Sequence, residues 1–332
     1  MSIAAVLLSP WSGSVRRSGS NPRSQRSAGR QRWRSLGALA GGLAIALHSL
    51  ALPALADPFR TVSPRNIDRN AEAAFLAMFA EGDYVQAAKL LEDASRNEPL
   101  AHALAASLAY LDQDWDTLRD RASLTRRSAE RLIQRDPLRG NIYLAVGHFL
   151  EGGYTLSTQS TVAATPTIIR ELQRAFSALG EAEKVAPDDP ELNLVKGYIE
   201  LFLATNLPFS SPEQALEKLQ TYAGPEYLAQ RGIAIGYRDL EQFDPALAAV
   251  DQALAETPNN PDLYYLKAQI LVRQEKHRES LDFFKLALEK EAQLPQRLAN
   301  QIAWEECRAQ GVVEGLRDGV SRQRCNPLLR RR

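Results

Sequence analysis

The sequence predicts an all-α protein, a solenoid of about six helical hairpins that ends in a capping helix. Two observations indicate this fold class: small residues recur with a period of 34, and no segment shows the strict apolar–polar alternation of a half-buried strand. The composition is that of an ordinary globular protein, with 45% apolar and 24% charged residues over 332 positions. Two cysteines are too few for a disulfide-dense scaffold or for a metal module with several thiolate ligands.

The first 56 residues have the pattern of an export signal preceded by an Arg/Ser-rich leader. They contain seven arginines and no acidic residue, and an apolar run at 36–52 follows the last of these arginines. Pro53 and the small residues around Leu55 then predict cleavage between Ala56 and Asp57. An uncleaved anchor, a two-part transit peptide and a misplaced start codon are alternatives. We expect the mature chain to act in the periplasm, or alternatively in a thylakoid lumen or attached to a membrane by the uncleaved signal.

The 34-residue period is clearest in the second half of the chain. Ala246, Ala253 and Pro258 recur as Ser280, Ala287 and Ala292, and the same spacing occurs upstream in Ala87, Ala94 and Pro99. An aromatic residue or a histidine stands three positions before the first small residue of each copy, at Tyr84, Phe243 and His277. Small residues at these spacings allow the second helix of a hairpin to pack closely against the first.

This pattern resembles the tetratricopeptide repeat, a 34-residue helical hairpin. The segments 68–101, 227–260 and 261–294 match best, although Phe75 and Lys267 depart from the usual residue types at their positions. The resemblance covers nearly all of the mature chain. A long basic leader before an acidic repeat body further resembles exported tetratricopeptide-repeat proteins of cyanobacteria.

In chain order, an extended linker at 57–67 precedes a superhelix that spans 68–294. Between the clear copies we predict three further helix pairs, at 100–111 and 117–135, at 141–150 and 168–185, and at 192–204 and 212–222. Segment 152–167 is predicted to be an insertion, functional or flexible, because seven of residues 155–167 are Ser or Thr. Asn260-Pro261 is a helix-start signal. A capping helix at 295–310 and a basic tail at 311–332 complete the organisation.

The sequence carries no motif for nucleotide binding, hydrolase nucleophiles or zinc proteases. Residues 57–332 hold 33 basic and 40 acidic residues, which argues against nucleic acid as a partner. His148 and Glu151 have a spacing at which two residues of a helix can share a metal ion, but a packing or surface role is favoured. We therefore predict no metal, no cofactor and, once the signal is cleaved, no stable membrane span.

The resemblance implies where a ligand would bind, because first helices line the concave wall of tetratricopeptide superhelices. On the copies that begin at 227 and 261, the inward positions with binding chemistry are Arg231, Arg238, Tyr265, Gln269 and Arg273. The hypothesis is that a peptide with mixed apolar and acidic side chains lies across Arg231, Tyr265 and Arg273. The alternative is that the set only solvates a groove or pairs with Asp239 and Asp262.

In an oxidising compartment the only two cysteines, Cys307 and Cys325, are predicted to form a disulfide that ties the tail to the capping helix. Two functions from different classes fit the sequence. The favoured one is a non-enzymatic scaffold that binds a protein or peptide partner, as an adaptor or assembly factor. The alternative is a helical-repeat enzyme such as a cell-wall or polysaccharide hydrolase. Neither the partner's identity nor the oligomeric state follows from the sequence.

Overall fold

The computed structural model describes residues 57–206 and 212–330. The predicted signal, including Ala56, lies outside them. Within the described ranges the chain forms fourteen α-helices and no β-strand. They are α1 Arg69–Phe79, α2 Tyr84–Glu92, α3 Pro99–Asp112, α4 Trp115–Leu132, α5 Pro137–Thr158, α6 Thr161–Val185, α7 Pro190–Asn206, α8 Pro212–Thr221, α9 Glu226–Asp239, α10 Phe243–Glu256, α11 Pro261–Arg273, α12 His277–Leu288, α13 Gln296–Val313 and α14 Asp318–Cys325.

Helices α1 to α12 form six consecutive hairpins, and α13 packs on the last of them. The first helices of successive hairpins also contact one another, from α1 to α3 and onward to α11. These contacts create a continuous inner layer of first helices, with the second helices packed against it. The predicted fold class, a tetratricopeptide-like solenoid of about six hairpins, is therefore confirmed.

The periodic small residues occupy the helix contacts that their spacing predicts. Ala246, Ala253, Ser280 and Ala287 are all fully buried on α10 and α12. A larger side chain at any of them would force neighbouring helices apart. The Asn260 side chain accepts a hydrogen bond from the Asp262 backbone N–H at 3.0 Å and caps α11, whose first residue is a proline.

The third hairpin differs from the prediction. The expected insertion at 152–167 is helical except for Gln159 and Ser160, so α5 and α6 are the longest helices of the described chain. Four of the seven Ser and Thr hydroxyl groups donate to the backbone carbonyl oxygen four residues earlier; Ser157, for example, bonds Gly153 at 2.8 Å. These bonds satisfy the hydroxyl groups inside the helices, which is why a Ser/Thr-rich segment does not form a loop here.

The solenoid closes on itself. The Tyr84 hydroxyl group at the start of α2 hydrogen-bonds the carboxylate of Asp262 on α11. The Asn260 side-chain amide donates to the carbonyl oxygens of Phe79 at 2.9 Å and Ala80 at 3.1 Å. Helix α3 also contacts the capping helix α13. The first hairpin therefore packs against the last ones, and the first helices surround an interior in place of an open groove.

The C-terminal region is more ordered than the predicted tail. The capping helix continues to Val313, and residues 318–325 form α14. Cys307 on α13 and Cys325 on α14 are joined by a disulfide, and Cys325 is fully buried. Among the described helices, none combines the length and the apolar character needed to cross a membrane.

We expect the mature chain to contain no free thiol when it is denatured without reductant. Reducing the bond should destabilise α14 by about 3 kcal/mol, because the bond closes a loop of 18 residues. Thiol titration, with a Cys307→Ser/Cys325→Ser variant as the zero-thiol control, measures this directly. Two titratable thiols in unreduced protein would contradict the assignment.

Candidate functional site

The interior of the closed solenoid is lined by side chains from the first helices of five hairpins. A small cavity of about 50 Å³ remains there. Its wall is apolar and includes Phe75, Leu104, Val146, Leu194 and Leu228, which lie on α1, α3, α5, α7 and α9. The first helices thus form the inner wall, but the space they surround is almost filled.

Part of that space is occupied by the chain's own residues 57–60, which precede the first hairpin. The ring of Phe59 lies 4.7 Å from the ring of Phe75, centroid to centroid and edge to face, and also borders the cavity. Asp57 and Arg60 are buried as well, each less than 10% exposed. The predicted linker 57–67 is non-helical, yet its first residues are held inside the solenoid.

Arg60 anchors this segment through four charge-assisted hydrogen bonds. Its guanidinium group donates to both carboxylate oxygens of Asp189, at 2.6 and 2.7 Å, and to Glu191 at 2.8 Å. A third nitrogen bonds Asp57 at 2.8 Å. Asp189 immediately precedes α7, and its carboxylate also accepts the backbone N–H of Leu192. A planar fork held bidentately by a carboxylate is the geometry that favours arginine over lysine.

A second arginine approaches Glu191 from α5. Arg139 is 1% exposed; it donates to Glu98 at 2.8 Å, and its Nε atom lies 3.7 Å from Glu191. The hydroxyl group of Tyr143 donates to the other oxygen of Glu191 at 2.6 Å. We call Arg60, Glu98, Arg139, Asp189 and Glu191 the interior charge cluster.

Burial raises the pKa of the Glu191 carboxyl group, and the nearby Arg139 and Arg60 oppose that rise. Burial likewise disfavours the charge on Arg60, but Glu191 and Asp189 more than compensate and raise the pKa of its guanidinium group. The charges of the cluster therefore depend on one another, and removing one leaves its partners buried with incomplete compensation.

The predicted binding residues on α9 are not exposed in this interior. Arg231 is 5% exposed and lies 3.6 Å from Asp262, the residue that also binds Tyr84 at the ring closure. Arg238 is 1% exposed and bonds both Asp239 at 2.9 Å and Gln269 at 2.9 Å. Pairing with Asp262 and Asp239 is the alternative that the sequence left open.

The predicted residues on α11 lie under the capping helix. Tyr265 is 1% exposed and donates to Glu305 of α13 at 2.7 Å, and Gln269 donates to the same carboxylate at 3.1 Å. The prediction that these side chains line an open groove is therefore wrong, because α13 and the first hairpin cover them. Of the five residues, Arg273 is the most exposed, with 32% of its side chain accessible, and it lies 3.7 Å from Asp239.

The interior charge cluster was not predicted, although the sequence contains one signal for it. Arg139 lies on the same face of α5 as Ile142, Tyr143 and Val146, all of them buried. A charged residue within an apolar stripe must find a partner inside the protein. The sequence could not identify that partner, because Glu98 and Glu191 lie 41 and 52 positions away.

No protein-family model matches the chain. The chain is 30% identical over 130 residues to human tetratricopeptide repeat protein 7A; the alignment covers 37% of this chain and 15% of that protein. This chain therefore spans about 15% of the length of tetratricopeptide repeat protein 7A. The fold of the chain is a tetratricopeptide-like solenoid. The crystal structure of PilW, a widely conserved type IV pilus biogenesis factor, superposes with a TM-score of 0.42 at 16% identity, covering 70% of this chain and 91% of PilW.

Proposed function

We propose that the protein is an exported, non-enzymatic scaffold that binds a protein or peptide partner, as an adaptor or assembly factor in the periplasm. The basic leader and the A-x-A sequence before Asp57 support export. The tetratricopeptide-like fold supports protein binding, because stacked hairpins present long surfaces suited to peptides.

The observation that carries this proposal is the seating of residues 57–60 inside the solenoid. An aromatic ring and an adjacent arginine fill a hydrophobic site and a carboxylate site that five different hairpins build together. This arrangement has the chemistry of peptide recognition: one apolar anchor and one bidentate charged anchor. The interior therefore fits a segment with an aromatic residue followed by arginine, whereas the sequence suggested a peptide with mixed apolar and acidic side chains.

A partner segment would compete with the chain's own residues 57–60. A short tether gives the internal segment an effective concentration on the order of millimolar, so weak partners are excluded while the segment is seated. Weakening the internal segment should therefore expose the site to a peptide added in solution.

The test uses the mature chain starting at Asp57 and a fluorescent peptide with the sequence of residues 57–67. We expect a Phe59→Ala/Arg60→Ala variant to bind this peptide at least about tenfold more tightly than the unaltered chain, as measured by anisotropy. A peptide carrying Arg60→Glu is the matched control and should not bind, since Asp189 and Glu191 would repel it.

If the double variant loses its helical circular-dichroism signal, the Arg60→Lys variant is used instead. Lysine retains the charge but cannot bind Asp189 bidentately. It should therefore weaken the binding of residues 57–60 to the interior without releasing them completely. If no folded variant binds the peptide, or if the peptide and the Arg60→Glu control bind equally, the interior is a packed core and the proposed binding site is wrong.

A further inference from the structure

A second cluster of polar side chains lies outside the interior, on the long third hairpin. His148 and Glu151 are one turn apart on α5, and Glu171 faces them from α6. The Nδ1 atom of His148 lies 2.8 Å from Oε2 of Glu171 and 3.8 Å from Oε2 of Glu151. All three ligand atoms are within 4.8 Å of one another.

Each carboxylate is oriented by arginine through its other oxygen. The Oε1 atom of Glu171 accepts hydrogen bonds from Arg170 and Arg174, both at 3.2 Å. The Oε1 atom of Glu151 accepts one from Arg126 at 3.0 Å. Both Oε2 atoms are consequently directed toward the imidazole. Hydrogen bonds from outer residues that fix the ligand atoms in this way are typical of protein metal sites.

The distances suit a transition-metal ion. Metal–nitrogen and metal–oxygen bonds of about 2.0–2.2 Å place neighbouring tetrahedral ligands roughly 3.4 Å apart. The separations of 2.8 and 3.8 Å from the imidazole lie on either side of that value, and the two carboxylate oxygens are within 4.8 Å of each other. Shifts of about 1 Å would therefore bring the three atoms into a coordination sphere.

The cluster borders a surface cavity of about 500 Å³, the wall of which includes His148, Glu151, Asn141 and Ser177. This cavity gives an ion an entry path and room for water in the remaining coordination positions. Imidazole and carboxylate ligands together suit Zn²⁺ and its first-row neighbours better than Ca²⁺ or Mg²⁺, which prefer oxygen ligands alone.

We propose that His148, Glu151 and Glu171 bind one divalent transition-metal ion, with Zn²⁺ the best match. The three neighbouring arginines reduce the negative potential of the site, so the affinity is expected to be on the order of micromolar. The ion would cross-link α5 and α6 in the middle of the longest hairpin. This site is independent of the proposed peptide-binding interior, and either assignment can fail without the other.

The test is Zn²⁺ binding to the metal-depleted mature chain by equilibrium dialysis and calorimetry. One ion per chain is expected, and His148→Ala should weaken binding at least about tenfold. The matched control is a His102→Ala/His277→Ala variant, which removes the other two histidines that follow residue 57 and should bind Zn²⁺ like the unaltered chain.

Thermal unfolding provides a second readout, because an ion that binds only the folded state raises the midpoint. Zn²⁺ should stabilise the unaltered chain and the control, but not His148→Ala. Should His148→Ala fail to fold, Glu151→Gln serves in its place, since Glu151 is partly exposed and the amide keeps its shape. Stoichiometry near zero, or equal affinity in the ligand variants and the control, would overturn the proposal.

Discussion

Replacing Glu191 by alanine is expected to destabilise the folded chain by about 3–5 kcal/mol, because it removes one partner from a buried ion pair. Glu191 is fully buried between the guanidinium groups of Arg60 and Arg139, and it accepts a hydrogen bond from Tyr143. Without its carboxylate, Arg60 would keep Asp57 and Asp189 and Arg139 would keep Glu98, but the two buried cations would lose the anion that lies between them.

Urea unfolding followed by circular dichroism measures this loss. Glu181→Ala is the matched control, because it also removes a glutamate from an ion pair. Glu181 pairs with Lys184, and both side chains are more than half exposed. That control should change the free energy of unfolding by less than about 1 kcal/mol. Equal losses in the two variants would show that the interior charge cluster contributes nothing beyond a surface pair.

The second large effect is expected from Gly82→Ala at the ring closure. Gly82 has φ = +67°, and a Cβ atom added there would lie 2.6 Å from Cδ of Pro261 and 2.8 Å from Oδ1 of Asn260. The left-handed backbone costs about 1 kcal/mol with alanine, and the overpacking adds about 1–3 kcal/mol. We expect a loss of about 2–4 kcal/mol, with weakened contact between the first hairpin and α11.

Gly315→Ala separates the two contributions. Gly315 has φ = +74°, but a Cβ atom there would meet no heavy atom within 4 Å. It should therefore lose only the backbone contribution, about 1 kcal/mol. Small-angle X-ray scattering should show a larger radius of gyration for Gly82→Ala than for Gly315→Ala. If both variants lose the same stability and scatter alike, Gly82 has no special role in closing the ring.

Local features of this fold could be read from the sequence. The 34-residue period located the small residues that bring paired helices together, and Ala246, Ala253 and Ala287 are all fully buried. Asn260-Pro261 indicated the start of α11 correctly, because a capping side chain and a proline act within one turn. The same local reasoning failed at 152–167, where composition suggested a loop but helix packing and hydroxyl bonds within the helices favour two long helices.

The candidate sites depended on contacts that no local pattern contains. The 34-residue period placed Arg231 and Tyr265 on inward-facing helix surfaces, but it did not predict that other helices would cover and bury them. Whether an inward face is open or buried depends on how the small rotation between hairpins accumulates around the solenoid, and here the first hairpin meets the sixth. The bond between Tyr84 and Asp262 joins residues 178 positions apart.

The repeat, the helical hairpins and the layer of first helices follow from side-chain size and spacing within some 34 residues, and they could be predicted without coordinates. Ring closure, the position of residues 57–60 in the interior, and the cluster that Glu171 completes with His148 and Glu151 are visible only in the folded chain. The physical reason is that each of these contacts joins separate helices or segments, and its geometry is the sum of many helix-packing angles that the sequence does not state one by one.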